Sequence, residues 1–167
     1  VPLLRQRLGL TNRRVVLFVG ALTAEKRIDR LLRAFAHVRR SVPGAFLLLV
    51  GDGPDRARLE RLTAELEIAP DTLFAGQMIE GVSDYYELAD VFVLPGLGGL
   101  AVSEALAHGL PVVCTRGDGC EVDLVQPGVT GFRIDEADDA TVVQRIAERV
   151  SELLSNGQQL QAMREAA

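Results

Sequence analysis

Uninterrupted apolar runs alternate along this chain with stretches in which apolar residues recur every three or four positions, and the alternation predicts the order of elements. VVLFVG at 15–20 has no polar residue, as a strand buried on both faces requires, and glycine closes it. Ile28, Leu31, Leu32, Phe35, Val38 and Val42 then repeat at helical spacing until Pro43-Gly44 breaks the helix. A second run at 46–50 ends in Gly51-Asp52-Gly53-Pro54, and Leu59, Leu62 and Leu66 mark an amphipathic helix over 55–67. A shorter strand at 72–75 ends at Gly76, and Tyr85, Tyr86 and Leu88 read as core contacts of a short helix.

The stretch 91–111 changes character three times. Val91–Leu94 is an apolar strand stopped by Pro95-Gly96, Gly98 and Gly99 leave a backbone nearly bare, and from Leu100 or Ala101 the composition favours helix as far as Gly109. Val112, Val113 and Cys114 predict a further strand, 121–125 a helical turn, and 128–134 a turn with a short extended segment. From 139 to the end the pattern is helical, with a break near Asn156-Gly157. Strand and helix alternate at least four times, which predicts an α/β fold: a doubly wound parallel sheet with helices on both faces. Ligands of such sheets bind beyond the carboxyl ends of the strands, so the loops at 22–26, 51–54, 76–78, 95–100 and 115–119 gather on one rim.

The chemistry of that rim points to an anion. A helix N-terminus carries unpaired N–H groups and a positive dipole end, and the glycines before Leu100 leave room for a phosphate; the same glycines also suit a plain tight turn. Glu104 lies one turn into the helix, where its carboxylate either complements the dipole or accepts from sugar hydroxyls. Lys26 and Arg27 stand near a helix start, where cations are disfavoured unless an anion meets them; as surface side chains they would share solvent with Glu25 and Asp29. No GxxxxG is followed by a Walker lysine, and no GxGxxG with a later acidic residue opens the first unit, so the ATPase and simple dehydrogenase templates fit poorly.

Composition narrows the choice further. At 167 residues, 48% of them hydrophobic, the chain is read as one domain with a substantial core. A net charge of −5 and 5% aromatic residues argue against a nucleic-acid surface, which needs clustered cations and stacking rings. No long apolar window and a mixed helical start lead to the expectation of a soluble, cytoplasmic chain without a transmembrane segment. The only two cysteines, Cys114 and Cys120, are expected to be buried free thiols, and no metal site is expected from them and two distant histidines. His37 and His108 are expected to be structural or solvent-facing.

Several motifs in order, FVGALTAEKRIDRLLRAF, LLLVGDGPDRARLERL, LFAGQM, YYELADVFVLPGLGGLAVSEALAHGLPVV and GVTGF, resemble the C-terminal domain of the group 1 (family 4) retaining glycosyltransferases of the GT-B fold. The resemblance covers nearly the whole chain. It implies a Rossmann-like donor-binding domain, residues 1–167, whose acceptor-binding N-terminal domain is missing here, with a nucleotide-diphosphate sugar as donor substrate and no cofactor. It places Lys26, Gly98, Gly99 and Leu100 on the donor diphosphate, Glu104 on the ribose, and Gln77 and Met78 facing the nucleobase; no catalytic residue is assigned within the chain. Two positions depart from the family pattern: Ala21 stands where an arginine usually joins the lysine on the diphosphate, and Gly96 where a glutamate usually lies near the transferred sugar. Arg27 and Arg116 are candidate compensating cations. These departures keep open a non-catalytic binding or assembly module with a drifted donor pocket; an epimerase of similar architecture fits less well, because such enzymes usually need acidic and histidine side chains in the cleft.

Overall fold

The structure, a computed structural model, describes residues 2–78 and 80–167. Ile79, placed by the sequence in the loop after the third strand, and the side chain of Cys120 lie outside the described residues.

Six strands, β1 (Arg14–Val19), β2 (Ala45–Val50), β3 (Thr72–Gly76), β4 (Val91–Leu94), β5 (Val112–Thr115) and β6 (Gly131–Ile134), form one sheet in the order β3-β2-β1-β4-β5-β6. Every pairing is parallel. The apolar runs explain the layout. All residues of β2, β4 and β5 are buried, as are Val15, Val16, Leu17 and Phe18 of β1, because helices cover both faces and leave no wet side on which a polar residue could alternate. The segment at 128–134, expected only as a turn with some extension, supplies the edge strand β6 against β5.

Among the described residues, eight α-helices surround the sheet: α1 (Pro2–Arg7), α2 (Ile28–Ser41), α3 (Arg56–Glu65), α4 (Val82–Leu88), α5 (Leu100–Ala107), α6 (Cys120–Leu124), α7 (Asp139–Ser155) and α8 (Gly157–Ala166). The helical repeat in α2 buries Ile28, Leu31, Leu32, Phe35 and Val38 against the sheet and α7, and α7 spans β4, β5 and β6. On the β1, β4 and β5 side, α4 and α5 close the other layer, with Tyr85, Tyr86 and Leu88 of α4 buried as expected. The break near residue 156 is real: the Asn156 side chain accepts from the Gln159 amide and starts α8.

The strand order reverses between β1 and β4. The chain runs outward through β2 and β3, then returns past β1 to begin β4, so the loops after β1 and β4 lie side by side at the carboxyl rim. Lys26 belongs to one of these loops and the glycine segment to the other.

Candidate functional site

After β1 the chain makes a 3₁₀ turn at Ala24–Lys26 and enters α2 through Arg27, which adopts the left-handed conformation at φ 49°, ψ 41°. This turn lies directly on the loop after β4. The Leu97 amide donates to the Glu25 carbonyl at 3.0 Å, and Lys26 Nζ donates to the Leu97 carbonyl at 2.7 Å. A Cβ added to Gly96 would sit 2.4 Å from the Glu25 oxygen and 2.6 Å from the Lys26 carbonyl carbon. Gly96 is therefore required by backbone-on-backbone packing, and a side chain at this position, glutamate included, has no space. A Cβ on Gly98, whose φ is +138°, would lie 2.6 Å from Lys26 Nζ. The lysine ammonium thus rests on the face that Gly98 leaves bare.

The loop then opens into α5 with Gly99 as its N-cap, whose carbonyl accepts from Val102 and Ser103. Among the described residues, the N–H groups of Gly98, Gly99, Leu100 and Ala101 meet no acceptor, and no carboxylate comes within ion-pair distance of Lys26. A cation and a row of unpaired donors therefore share one mouth, which an anion would satisfy. The Leu100 side chain is 90% exposed, so it leaves its own amide accessible. Glu104, one turn further along, is exposed, with His108 Nε2 at 3.9 Å from Oε1. His108 caps α5 and stacks on the buried Tyr86 ring, 5.3 Å between centroids, a packing role that agrees with expectation. His37 faces a surface groove between α2 and α7, away from the rim.

Gln77 and Met78 line a cleft of ≈ 420 Å³ beyond the ends of β1, β2 and β3, together with Gly20, Ala21, Gly53 and Val82. Its walls are held by backbone. Gly20 N–H donates to Val50, Leu22 N–H to Asp52, and Asp55 N–H back to Leu22. A Cβ on Gly51 would fall 1.9 Å from the Gly20 carbonyl oxygen, so these two loops touch main chain to main chain. The Asp52 carboxylate caps its own loop by accepting from the Gly53 amide, and that bond, with the Arg56 ion pair, holds its carboxyl below the usual range.

The two candidate compensating cations fare differently. Arg27 is not one. Its guanidinium reaches Asp29 at 3.2 Å and also binds Asp139, and these carboxylates hold its proton more tightly than usual, so its charge is already neutralised. The left-handed backbone turns the side chain into that pair. Arg116 is exposed, beyond the end of β5, in a separate cavity with Glu121, Arg133 and Asp135. The adjoining residue, Gly117, does approach the glycine loop, since a Cβ there would be 3.5 Å from the Gly96 oxygen. Glu121 organises this segment by accepting from the Gly117 and Gly119 amides at 2.9 and 3.0 Å. Sequence reasoning missed Val82 in the cleft wall and missed Arg30, whose Nη1 donates to the Pro95 carbonyl at 3.3 Å where the glycine loop begins. The periodic charge pattern of α2 gave no sign of that contact.

Cys114 is buried and free, and burial pushes its thiol up to about 12, so it is not a nucleophile at neutral pH. None of the described helices is long and apolar enough to cross a membrane.

Comparison with known proteins agrees with this layout. The model of the group 1 glycosyl transferases matches residues 2–167. A GDP-mannose-dependent α-(1-6)-phosphatidylinositol monomannoside mannosyltransferase of Mycolicibacterium smegmatis is 34% identical over 96% of this chain, and an α-D-kanosaminyltransferase of Streptomyces kanamyceticus is 31% identical over 82%. The matches span 44% and 38% of those two proteins, so the chain covers less than half the length of these relatives. Among solved structures, WaaG, a glycosyltransferase involved in lipopolysaccharide biosynthesis, superposes with a TM-score of 0.85 at 24% identity, over 98% of this chain and 44% of WaaG. Anabaena HepE in complex with UDP and glucose gives 0.84 at 23% identity, over 98% of this chain and 44% of HepE. The sheet order, the glycine loop and a family match over almost every residue lead to one conclusion: this chain belongs to the group 1 glycosyl transferases.

Proposed function

We propose that the chain is the donor-binding domain of a retaining glycosyltransferase, which transfers a sugar from a nucleotide-diphosphate sugar to an acceptor held by a separate N-terminal domain. The observation that carries this reading is the Lys26 ammonium resting on Gly98 beside the unpaired amides of 98–101. In transfer, the bond between the anomeric carbon and the β-phosphate oxygen breaks, and the leaving diphosphate gathers negative charge. Donors fixed in advance at that point stabilise the developing charge without reorganising. In this reading Lys26 and the amides of Gly98, Gly99 and Leu100 hold the diphosphate, Glu104 accepts from the ribose hydroxyls, and the Gln77–Met78 cleft takes the base. Arg116 is the remaining cation able to assist. No residue of the chain is assigned as a nucleophile or acid, so the domain alone binds nucleotide and transfers nothing.

Calorimetric titration with UDP, GDP and ADP, and with their sugars, tests the proposal. GDP-mannose and UDP-glucose come first, because one relative is named for GDP-mannose and a HepE structure holds UDP-glucose. Saturable binding of a nucleoside diphosphate, lost in Lys26→Ala, is expected. No binding at millimolar ligand would reject it. It would favour instead a non-catalytic binding or assembly module, a reading to which Ala21 and the side-chain-free packing at Gly96 lend specific support.

A further inference from the structure

The rim turn that carries Lys26 and the loop it faces are both tied to one distant carboxylate. Asp139, the first residue of α7, accepts at Oδ1 from Arg30 Nε and Nη2 at 3.1 and 2.5 Å, and from Arg27 Nη1 at 3.3 Å. Arg27 Nη2 binds its other oxygen. Each arginine has a second attachment. The Arg30 guanidinium reaches the Pro95 carbonyl, the residue that ends β4 and begins the glycine loop. Arg27, adjacent to Lys26 in the chain, holds a left-handed backbone that is unfavourable for a non-glycine residue unless its surroundings enforce it. Asp139 and Asp29 supply that enforcement through both ends of the guanidinium.

From this arrangement we infer that Asp139 is a positioning residue for the donor diphosphate. It fixes the Lys26 turn through Arg27 and the base of the glycine loop through Arg30, and so sets the gap between the ammonium and the unpaired amides. The inference rests on the donor-binding reading above. Asp139 has no part in that binding constellation: it belongs to a different helix, and its side chain is 57% exposed. A carboxylate that exposed contributes little to global stability, whereas a change of a fraction of an ångström across an anion site is felt by the anion.

Asp139→Asn in the 167-residue chain separates positioning from scaffolding. Expected is a three- to tenfold loss of affinity for the nucleoside diphosphate that the wild-type chain binds, with affinity for the corresponding nucleoside unchanged, because the base cleft is held by a different set of backbone bonds. Arg30→Lys, which keeps the charge but loses the two-point fork, should show the same split, and Asp139→Glu should recover part of the loss. Without any ligand, Asp139→Asn should move the amide resonances of Leu97 and Gly98 and leave those of Gly53 and Gln77 in place. Equal losses for diphosphate and nucleoside, or unmoved Leu97 and Gly98 resonances, would overturn the inference. Failure of the wild-type chain to bind any nucleotide would overturn the donor-binding reading and the affinity part of this one with it, while the ligand-free resonances would still report whether Asp139 sets the loop.

Discussion

The arginines at the amino ends of the strands and Lys26 at the carboxyl ends are treated in opposite ways. At the amino ends of the strands, four arginines meet carboxylates: Arg5 and Arg14 flank Asp90 at 3.3 and 3.6 Å, and Arg13 and Arg39 share Asp71 at 2.5 and 2.7 Å. Asp90 is buried and also accepts from the Val15 amide at 2.8 Å, so it anchors the start of β1 beside β4. At the carboxyl ends, among the described residues, Lys26 has only a neutral carbonyl, and the amides beside it have no acceptor. A charge that serves the scaffold is compensated within the scaffold; a charge left uncompensated beside idle donors marks where the molecule expects something else.

Substitutions at the two ends should therefore fail in different assays. Asp90→Ala is expected to have the largest effect, a loss of about 3 kcal/mol in denaturant unfolding, since it strands the buried Val15 amide and removes the carboxylate that Arg5 and Arg14 share. Nucleotide affinity among the molecules that remain folded should not change. Lys26→Ala should do the reverse: stability close to wild type, and nucleoside diphosphate affinity reduced ten- to a hundredfold by calorimetry, the equivalent of about 1.5–3 kcal/mol for a charge-assisted contact. Were Lys26→Ala to unfold the domain, the contrast between the two ends would collapse.

Gly98→Ala blurs the division in a useful way. Its backbone is unsuited to a side chain and its Cβ meets the ammonium, so about 1 kcal/mol of stability and part of the diphosphate affinity should be lost together. The smallest effect concerns pH. Arg27 and Arg30 hold the Asp139 carboxyl at about 2, below its ordinary 3.8. A depressed carboxyl contributes stability that is complete above its unfolded value and lost as pH falls through the folded one, so the window runs from near 4 down to 2. With solvent screening at so exposed a group the contribution stays under about 1 kcal/mol, and Asp139→Asn should remove it, flattening that part of an acid unfolding curve.

The fold was legible because its strands are buried on both faces. A run such as VVLFVG cannot belong to a half-wet sheet, and glycine at the end of so many runs marks the rim on which the candidate site lies. The mouth of α5 was legible for the same reason, as glycines followed by a helical composition. The fate of Lys26 and Arg27 was not. They are neighbours in sequence with nearly the same charge, yet one faces the glycine loop and the other pairs with a carboxylate 112 positions away. That outcome depends on one left-handed residue and on where α7 begins, and neither leaves a periodic trace. Gly96 was read as a lost carboxylate; the structure adds that main chain occupies the space a side chain would need.

The contact between Gly20 and Gly51 limits how this protein can change. With a Cβ on Gly51 only 1.9 Å from one carbonyl and a Cβ on Gly53 only 2.4 Å from that of Leu22, the floor of the cleft admits no mutation that adds an atom. If the cleft takes the base as proposed, a different ring system would be accommodated through its lining side chains, Ala21, Gln77, Met78 and Val82 among them. A saturation library at those four positions would reshape the recess with the backbone floor intact, whereas one at Gly51 and Gly53 would return mostly unfolded chains.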